Sequence, residues 1–489
     1  MSSHHQIFKS TALVGGTQII NMGISVVRTK ILALLLGPAG MGLVGLYMTT
    51  TGLIGSVAGL GINSSGVRQI AEAVGTNDDN RIARTIVTLR RVSLISGILG
   101  MGFVILLAPF LSRVTFNNNE HVLAISLMSL TLLFNDISAG QSALLQGLRK
   151  LRELAASQIF GAVFGALISI LLVWRYREKG IVLYLVAISA FGMALSWWYA
   201  RKVSVKKIII TWKDTWIESK TLLGLGIAFT LQALIGSGTD YLTRILIQRE
   251  LGMDAVGIYT STWTLSSYYV GFVLMAMGAD FLPRLTASAN DNTALNRLVN
   301  EQAEIGILIA LPGILLTLAV APWIMEFFYS SAFLSGAEVA RWQILGVFVR
   351  VVCWPLGYVI IAKGKSALFT VIATAYGIIN ISLIYICLKV WKLDGMGISF
   401  ALSYIFYAIM IHITIHQLTG FAWIKNCLNI LKLSLAILLI TFLFVKYLPN
   451  QWGVYTGLLI TATTGLACIH KIKKMLNFSL IDSFRRKRG

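Results

Sequence analysis

The sequence predicts an all-α polytopic membrane protein with about fourteen transmembrane helices. Of its 489 residues, 56% are hydrophobic and only 12% are charged, and the mean hydropathy is +0.77. A soluble protein carries about 25% charged residues. In addition, apolar runs of the roughly 20 residues that a spanning helix needs recur as far as the C-terminus. The 44 glycines are typical of helices that pack closely within a membrane.

The apolar runs place each helix along the chain. The predicted spans are 11–36, 41–63, 88–111, 121–146, 155–174, 180–200, 221–247, 255–283, 303–326, 340–362, 366–389, 395–418, 431–448 and 452–470. The longest connections between them are basic and polar, and they cover 64–87, 201–220 and 284–302.

The charges in the connections predict the orientation. If the N-terminus is cytoplasmic, 28 of the 41 Lys and Arg residues fall in inside segments, 9 fall outside and four lie within helices. By the positive-inside rule both termini are then cytoplasmic in a bacterial inner membrane. The net charge of +21 is scattered through short connections, which argues against nucleic acid as a partner. The basic tail instead suits membrane lipids with anionic headgroups.

Two short motifs indicate an internal repeat. Leu36-Gly37, followed by Gly42, returns as Leu251-Gly252, followed by Gly257, with every position number raised by 215. A looser echo links 146–150 to 363–365. These matches predict two pseudo-symmetric six-helix lobes around a central cationic cavity, because duplicated transporters place their site between the repeats. The predicted divisions are an N-terminal lobe (1–205), a cytoplasmic linker (206–220), a C-terminal lobe (221–420), an extra helix pair (421–470) and a basic tail (471–489).

Cations within the predicted spans are the first candidate site residues. An Arg or Lys near the bilayer centre costs on the order of 2.5–3.5 kcal/mol and normally faces the protein interior or a wet cavity. Arg28 shares one helical face with Gln18 and Asn21, which predicts a substrate-facing stripe. The alternative is a packing seam from which Arg28 extends towards the interface. Lys30 lies nearer the outer end, and its position alone favours that alternative.

The second half of the chain adds two more cations. Arg244 has Asp240 one turn away, so the two either neutralise each other or Asp240 orients Arg244 in the cavity. Arg350 lies in the middle of its helix with no acidic residue within a turn. We expect it to face water, a distant carboxylate or an anionic ligand. Asn63 is a further candidate for substrate binding.

Acidic and metal-binding residues are sparse within the predicted spans. Asp136 is the best candidate for a carboxylate that takes up a coupling ion, with Asp240 as a second, although a structural hydrogen bond is an equal alternative for Asp136. His412 and His416 are spaced as a metal pair but lack a third ligand nearby. The sequence therefore predicts neither a metal site nor a cofactor. A net basic interior favours an anionic substrate, and a phosphate ester is the natural partner of Arg clusters.

Three stretches resemble bacterial polysaccharide flippases of the Wzx type. They are Lys30-Ile31-Leu32-Ala33 with Leu36-Gly37-Pro38-Ala39-Gly40-Met41-Gly42-Leu43, Phe281-Leu282-Pro283-Arg284-Leu285, and Trp342-Gln343-Ile344-Leu345-Gly346 through Arg350 to Gly357-Tyr358-Val359-Ile360-Ile361-Ala362-Lys363. These flippases of O-antigen or enterobacterial common antigen belong to the superfamily of MATE exporters and lipid II flippases. Lys30 and Arg350 fall where the family has functionally important cations. Wzx proteins commonly have twelve helices, whereas this chain has a predicted fourteen, as lipid II flippases do.

The resemblance implies the function as well as the fold. The implied substrate is an oligosaccharide joined through pyrophosphate to undecaprenol, moved from the cytoplasmic to the periplasmic leaflet by alternating access with an ion gradient. The polymerase and the chain-length regulator of the same glycan pathway are the implied protein partners. An alternative is a MATE-like cation-coupled exporter of small organic molecules, which would place more carboxylates inside. A membrane enzyme is not expected, because the predicted outside loops are too short to hold a catalytic site.

Overall fold

A computed structural model describes residues 3–203, 206 and 208–486. Within these ranges, the described part excludes the side chains of 3–12, 14, 63–64, 221–229, 268–269, 272, 275–276, 279, 450 and 476–486. Every regular element in the described ranges is helical, and nine of the helices found there are long and apolar enough to cross a membrane. The predicted fold class is confirmed, while the count of fourteen spans stays a prediction.

The chain forms helices of very different length. In order they are α1 (Ser3–Ala58), α2 (Ile62–Gly75), α3 (Asp79–Phe116), α4 (Val122–Gly147), α5 (Leu151–Tyr176), α6 (Gly180–Ala200), α7 (Trp212–Leu251), α8 (Met253–Ala287), α9 (Asn292–Ala319), α10 (Ala321–Phe328), α11 (Gly336–Ala362), α12 (Ser366–Thr419), α13 (Lys425–Tyr447) and α14 (Asn450–Arg486). Two of them, α1 and α12, each contain a kink and cover two predicted spans.

The helices fall into two compact units. The first unit comprises residues 1–248 and 328–330, and the second comprises 249–327 and 331–489. The first therefore contains α1–α6 with most of α7, and the second contains α8, α9 and α11–α14. The lobe boundaries expected from the sequence stay a prediction.

The repeat seen in the sequence is present in the backbone. At the kink in α1, Gly37 has φ 65° and ψ −172°, and Gly252, between α7 and α8, has φ 87° and ψ −178°. Arg177, after α5, has φ 52° and ψ −131°, and Lys392, at the kink in α12, has φ 46° and ψ −120°. In both pairs the position numbers differ by the same 215 as in the sequence motif. The duplication therefore extends beyond the matched motifs to positions whose residue types differ.

The hydrogen bonds of the α4–α5 and α11–α12 turns keep the same register. Lys150 N donates to Leu145 O at 2.8 Å, and at the repeat-related positions Lys365 N donates to Ile360 O at 3.0 Å. The ends of α4 and α11, at Gly147 and Ala362, are related by the same offset. A residue of α4–α6 can therefore be paired with its counterpart in α11–α12 by adding 215 to its number.

The polar connections predicted from the sequence are largely helical. The segment 64–87 contains most of α2 and the start of α3, while α7 and α9 begin within 201–220 and 284–302. Side-chain caps explain two of these starts: Asp78 accepts from Asn80 N, and Asp291 accepts from Thr293 N. A search for apolar runs misses such turns, because it ends where the helix leaves hydrocarbon.

A polar ladder on α9 holds the connection that leads into the C-terminal helix pair. Its members Asn296, Asn300 and Glu304 are spaced by four residues, so they share one face of α9. The contacts are Asn296 Nδ2 to Thr419 O (3.0 Å), Asn300 Nδ2 to Ala422 O (3.1 Å), Ile424 N to Asn300 Oδ1 (3.0 Å) and Asn426 Nδ2 to Glu304 Oε1 (2.8 Å). The ladder therefore provides hydrogen-bond partners for backbone groups of the connection between α12 and α13, which lack partners within a helix.

We expect the Asn300→Ala substitution to destabilise the second unit. Asn300 is 1% exposed, and its loss leaves the Ala422 carbonyl and the Ile424 amide without these partners. Each buried unsatisfied group costs about 1–3 kcal/mol. The thermal midpoint of the purified protein in detergent should fall clearly, whereas Asn290→Ala, at an exposed turn, should leave it unchanged. Equal midpoints for the two variants would contradict the role of the ladder.

Candidate functional site

The second unit contains a cavity of about 380 Å³ between α11 and the two halves of α12. Its volume lies within the range of about 300–1,000 Å³ that is typical of ligand pockets. It is lined by Arg350, Trp354, Gly357, Tyr358, Ile361, Phe369, Ile372, Ala373, Tyr376, Tyr404 and Tyr407. One arginine and five large aromatic side chains bearing an indole N–H or a hydroxyl thus share a single space.

The α11 wall follows from helical periodicity. Arg350, Trp354 and Tyr358 are spaced by four residues and so project from the same side of the helix. The Trp354 and Tyr358 rings lie 4.5 Å apart between centroids. From α8, Phe281 stacks on Trp354 at 5.8 Å, so the aromatic wall is supported from behind.

The α12 wall consists of three tyrosines contributed by both sides of the kink. Tyr376 precedes the kink, and its ring lies 5.4 Å from that of Tyr404 and 5.5 Å from that of Tyr407. Gly357 faces them from α11, where an added Cβ would lie 3.3 Å from the Tyr407 hydroxyl. A side chain at position 357 would therefore crowd the Tyr407 hydroxyl.

Among the described residues that line this cavity, Arg350 is the only basic one. It is partly exposed, and within the described residues it makes no ion pair with a carboxylate. It lies close enough to Tyr376 for an electrostatic interaction. A guanidinium in an aromatic cavity offers up to five donors in a planar fork that fits phosphate or carboxylate oxygens.

The cavity lining is specific to the second repeat. The first-unit counterparts of Arg350, Trp354, Tyr376, Tyr404 and Tyr407, found by subtracting 215, are Asn135, Ala139, Gly161, Ser189 and Gly192. All five are uncharged, and four of them are much smaller than their partners. The two repeats share their backbone but differ in this chemistry, so the cation–aromatic lining is not a general requirement of the fold.

The first unit holds the stripe predicted on α1. Arg28 is partly exposed, and its Nε is buried without a hydrogen-bond partner among the described residues. Asn21 is likewise partly exposed, with a buried Oδ1 that lacks such a partner. Gln18 is exposed and Lys30 is partly exposed, while the Asn63 side chain lies outside the described residues. The substrate role of these five residues stays a prediction.

Arg244 and Asp240 form the ion pair that their spacing allows. Arg244 Nη1 lies 3.9 Å from Asp240 Oδ2 and donates to the Asp240 carbonyl at 3.2 Å. The Arg244 side chain is 7% exposed, whereas that of Asp240 is 52% exposed. The pair is compatible with both sequence-based accounts, so the substrate role of Arg244 and the coupling role of Asp240 stay predictions. In this geometry the Asp240 carboxylate is accessible, whereas the Arg244 guanidinium is buried.

Asp136 lies between α4 and α3 in the first unit. Ser96 Oγ donates to its Oδ2 at 3.2 Å, and no cation in the described part of the chain pairs with it. The backbone of α1 approaches through Gly59, where an added Cβ would lie 3.5 Å from Asp136 Oδ1. The aligned residue of the second unit is Val351, so this carboxylate, like the aromatic cavity, is present in one repeat.

Sequence reasoning missed the aromatic lining and one arginine. The spacing of Arg350, Trp354 and Tyr358 by four was a usable signal. Arg90 lies in the predicted span 88–111 but was included among the 28 inside cations. It is three turns inside α3, and its Nε is buried without a hydrogen-bond partner in the described ranges. As for metals, no group of three or more His, Cys, Asp or Glu residues that suits an ion occurs among the described residues.

The fold and the placement of these charges define a class of protein, a polytopic helical membrane protein, and its fold is similar to that of two solved transporters. The structure of the lipid II flippase MurJ in an inward closed conformation superposes with a TM-score of 0.68 and 13% identity, covering 96% of this chain and 99% of MurJ. An inward-facing multidrug resistance MATE transporter superposes with a TM-score of 0.66 and 16% identity, covering 82% of this chain and 98% of the MATE transporter. The chain belongs to the family described as "Polysaccharide biosynthesis protein", whose model matches residues 31–338.

Two curated relatives agree with that family. The Lipid III flippases of Escherichia coli (strain K12) and of Shigella flexneri are each 24% identical to this chain over an alignment of 373 residues. The alignments cover 73% of this chain and 85% of each flippase.

Proposed function

We propose that this protein is a flippase for a lipid-linked oligosaccharide whose carrier is undecaprenyl pyrophosphate. The observation that carries the proposal is the second-unit cavity, where Arg350 makes no ion pair with a described carboxylate and is surrounded by aromatic rings. The guanidinium suits a diphosphate, and rings with polar edges suit the mixed apolar and hydroxylated faces of sugars. The resemblance to flippases named for lipid II and lipid III supports the same substrate class.

The physical task matches these parts. The isoprenoid tail can remain in the bilayer, while the sugar and diphosphate must cross hydrocarbon in a hydrated or protein-lined environment. An unsatisfied polar group in hydrocarbon costs several kcal/mol. Arg350 compensates the diphosphate charge, and the tyrosine hydroxyls replace hydrogen bonds that the sugar makes with water. Transport is by alternating access from the cytoplasmic to the periplasmic leaflet of the inner membrane, with both termini cytoplasmic.

The two repeats divide the work in this proposal. The second unit holds the headgroup through Arg350, and the first unit takes up the coupling ion at Asp136. Each residue has an uncharged counterpart in the other repeat, namely Asn135 for Arg350 and Val351 for Asp136. The polymerase and the chain-length regulator of the glycan pathway are the proposed partners, and no covalent chemistry is assigned to the protein.

A chromosomal deletion tests the function. We expect the deletion strain to lack the surface glycan and to accumulate undecaprenyl-pyrophosphate-linked oligosaccharide, which mass spectrometry of extracted lipids would detect. A plasmid copy should restore the glycan. In proteoliposomes, the purified protein should make a labelled lipid-linked oligosaccharide accessible to an external glycosidase. Normal glycan in the deletion strain together with energy-dependent efflux of organic cations would favour the MATE-like alternative instead.

A further inference from the structure

The start of α7 has two faces of opposite character. On one face Thr215 and Ser219 are 4% and 3% exposed. On the other, Trp212 and Trp216 are each 64% exposed, and Ile217 is 56% exposed. Ile209, just before the helix, is fully exposed as well. The polar face is therefore buried against the protein and the apolar face is open, which is the reverse of a helix on a water-soluble surface.

The buried polar face is fixed to α3. Arg84 Nε lies 3.0 Å from Glu218 Oε1, and Thr88 Oγ1 donates to Glu218 Oε2 at 2.8 Å. Arg91 Nη1 donates to Thr215 Oγ1 at 2.7 Å and to the Ile210 carbonyl at 3.0 Å. These bonds set the rotation of α7 about its axis, so the exposure of the two tryptophans is imposed by the fold.

Basic residues flank the exposed tryptophans and isoleucines along the chain. Five exposed basic residues flank them: Arg201, Lys202, Lys206, Lys213 and Lys220. The two acids of this stretch are engaged elsewhere, because Glu218 pairs with Arg84, and Asp214 accepts from Thr211 Oγ1 at 2.7 Å. Asp79 and Glu153 line a cavity together with Lys202 and Lys206. The Thr211 hydroxyl bond and the neighbouring Arg84 and Lys213 hold the pKa of Asp214 below its usual range. The face exposed to the surroundings is thus apolar and positive.

The position of this face relates it to the bilayer. The 40 residues of α7 give a length of about 60 Å at 1.5 Å per residue, twice the roughly 30 Å of hydrocarbon. The first turns therefore lie outside the hydrocarbon core. The preceding segment leaves α6 at Ala200, where the Arg201 guanidinium stacks 3.6 Å from the Trp198 ring centroid. Tryptophan with Lys or Arg at a helix end is typical of the membrane–water interface.

We propose that this surface, formed by Ile209, Trp212, Trp216 and Ile217 with the five flanking cations, binds anionic phospholipid headgroups. The two tryptophans and two isoleucines insert at the level of the glycerol backbone, and the lysines contact phosphodiester oxygens. Anionic lipid then holds the start of α7 against the bilayer while the Arg84, Thr88 and Arg91 contacts hold it against α3. The interaction is independent of the transported substrate and does not rest on the proposed function.

Site-directed spin labelling tests this surface in the full-length protein. Labels are placed at Ile209→Cys and Trp216→Cys, with Asn290→Cys, at an exposed turn outside this surface, as the control. The four native cysteines are buried, so they react slowly with the label. In nanodiscs containing phosphatidylglycerol, we expect labels at 209 and 216 to be relaxed more by oxygen than by a water-soluble nickel complex. The label at 290 should show the opposite preference.

Lipid composition provides the second arm. We expect the affinity for phosphatidylglycerol, measured by native mass spectrometry, to fall about five-fold per lysine when Lys206 and Lys213 are changed to glutamine. Nickel accessibility at both apolar positions in anionic nanodiscs would overturn the proposal and indicate a protein partner or open solvent. Equal insertion in purely zwitterionic nanodiscs, with unchanged phosphatidylglycerol affinity in the lysine variants, would overturn the headgroup assignment.

Discussion

The Arg350→Ala variant is expected to lose roughly 10- to 100-fold of transport activity while folding as well as the original protein. A hydrogen bond to a charged group contributes about 1.5–3 kcal/mol, which corresponds to that range. Arg350 makes no ion pair within the described residues, so its removal leaves no carboxylate unpaired there. Removing a costly intramembrane cation should leave the thermal midpoint unchanged or raise it.

Two further variants make the Arg350 test specific. Arg350→Lys should retain an intermediate activity, because lysine keeps the charge but lacks the planar fork of donors. Arg297→Ala is the matched control, since Arg297 is 72% exposed and pairs with Glu301 on the surface of the same unit. Glycan export in the deletion strain and headgroup access in proteoliposomes provide the readouts. Full activity of Arg350→Ala in both would refute the proposed role of the cavity.

The Asp136→Asn variant is expected to transport at least ten-fold more slowly and to lose its dependence on the ion gradient. A buried carboxylate without a cation is unfavourable, so uptake of a proton or metal cation neutralises it. Asparagine keeps the size and can still accept from Ser96 Oγ, which lies 3.2 Å away in the original protein. The variant should therefore fold normally but be fixed in the neutral form.

The Asp136 measurement compares transport with and without an imposed proton or sodium gradient in proteoliposomes. Ser96→Ala removes the hydrogen bond but keeps the carboxylate, and it should lower the rate only a few-fold while leaving the gradient dependence in place. Asp280→Asn is the control for loss of an acidic residue, because the Asp280 side chain is 75% exposed and pairs with Arg284 on the surface. If Asp136→Asn responds to the gradient like the original protein, ion coupling must lie elsewhere.

The sequence was sufficient for the fold class and for the repeat, because both depend on local patterns. Apolar runs predict spanning helices without knowledge of their neighbours. The motif at Gly37 and Gly252 predicts a duplication, and its glycines share an unusual backbone conformation with positive φ. Arg350 could be singled out by what its own helix lacks, a carboxylate within one turn.

The features that the sequence did not predict depend on contacts between distant segments. Tyr376 and Tyr407 lie on opposite sides of the kink in α12, yet their rings are 5.5 Å apart. Likewise, the hydrogen bond from Ser96 to Asp136 joins two helices. The burial of Arg90 Nε also depends on helices packed against α3. For Arg244, the spacing alone predicted a pair with Asp240, whereas the burial of its side chain depends on packing.

The polar ladder on α9 has a consequence for the two helices that follow it. A shortened chain ending near residue 420 would resemble a twelve-helix transporter, but Asn300 and Glu304 would then lose Ala422, Ile424 and Asn426. The amide and the carboxylate would then lose buried hydrogen-bond partners, at a cost of about 1–3 kcal/mol each. Truncation alone should therefore fail, whereas truncation combined with leucine at 300 and 304 should yield a stable protein. Gain or loss of the terminal hairpin during evolution would have required changes in α9 at the same time.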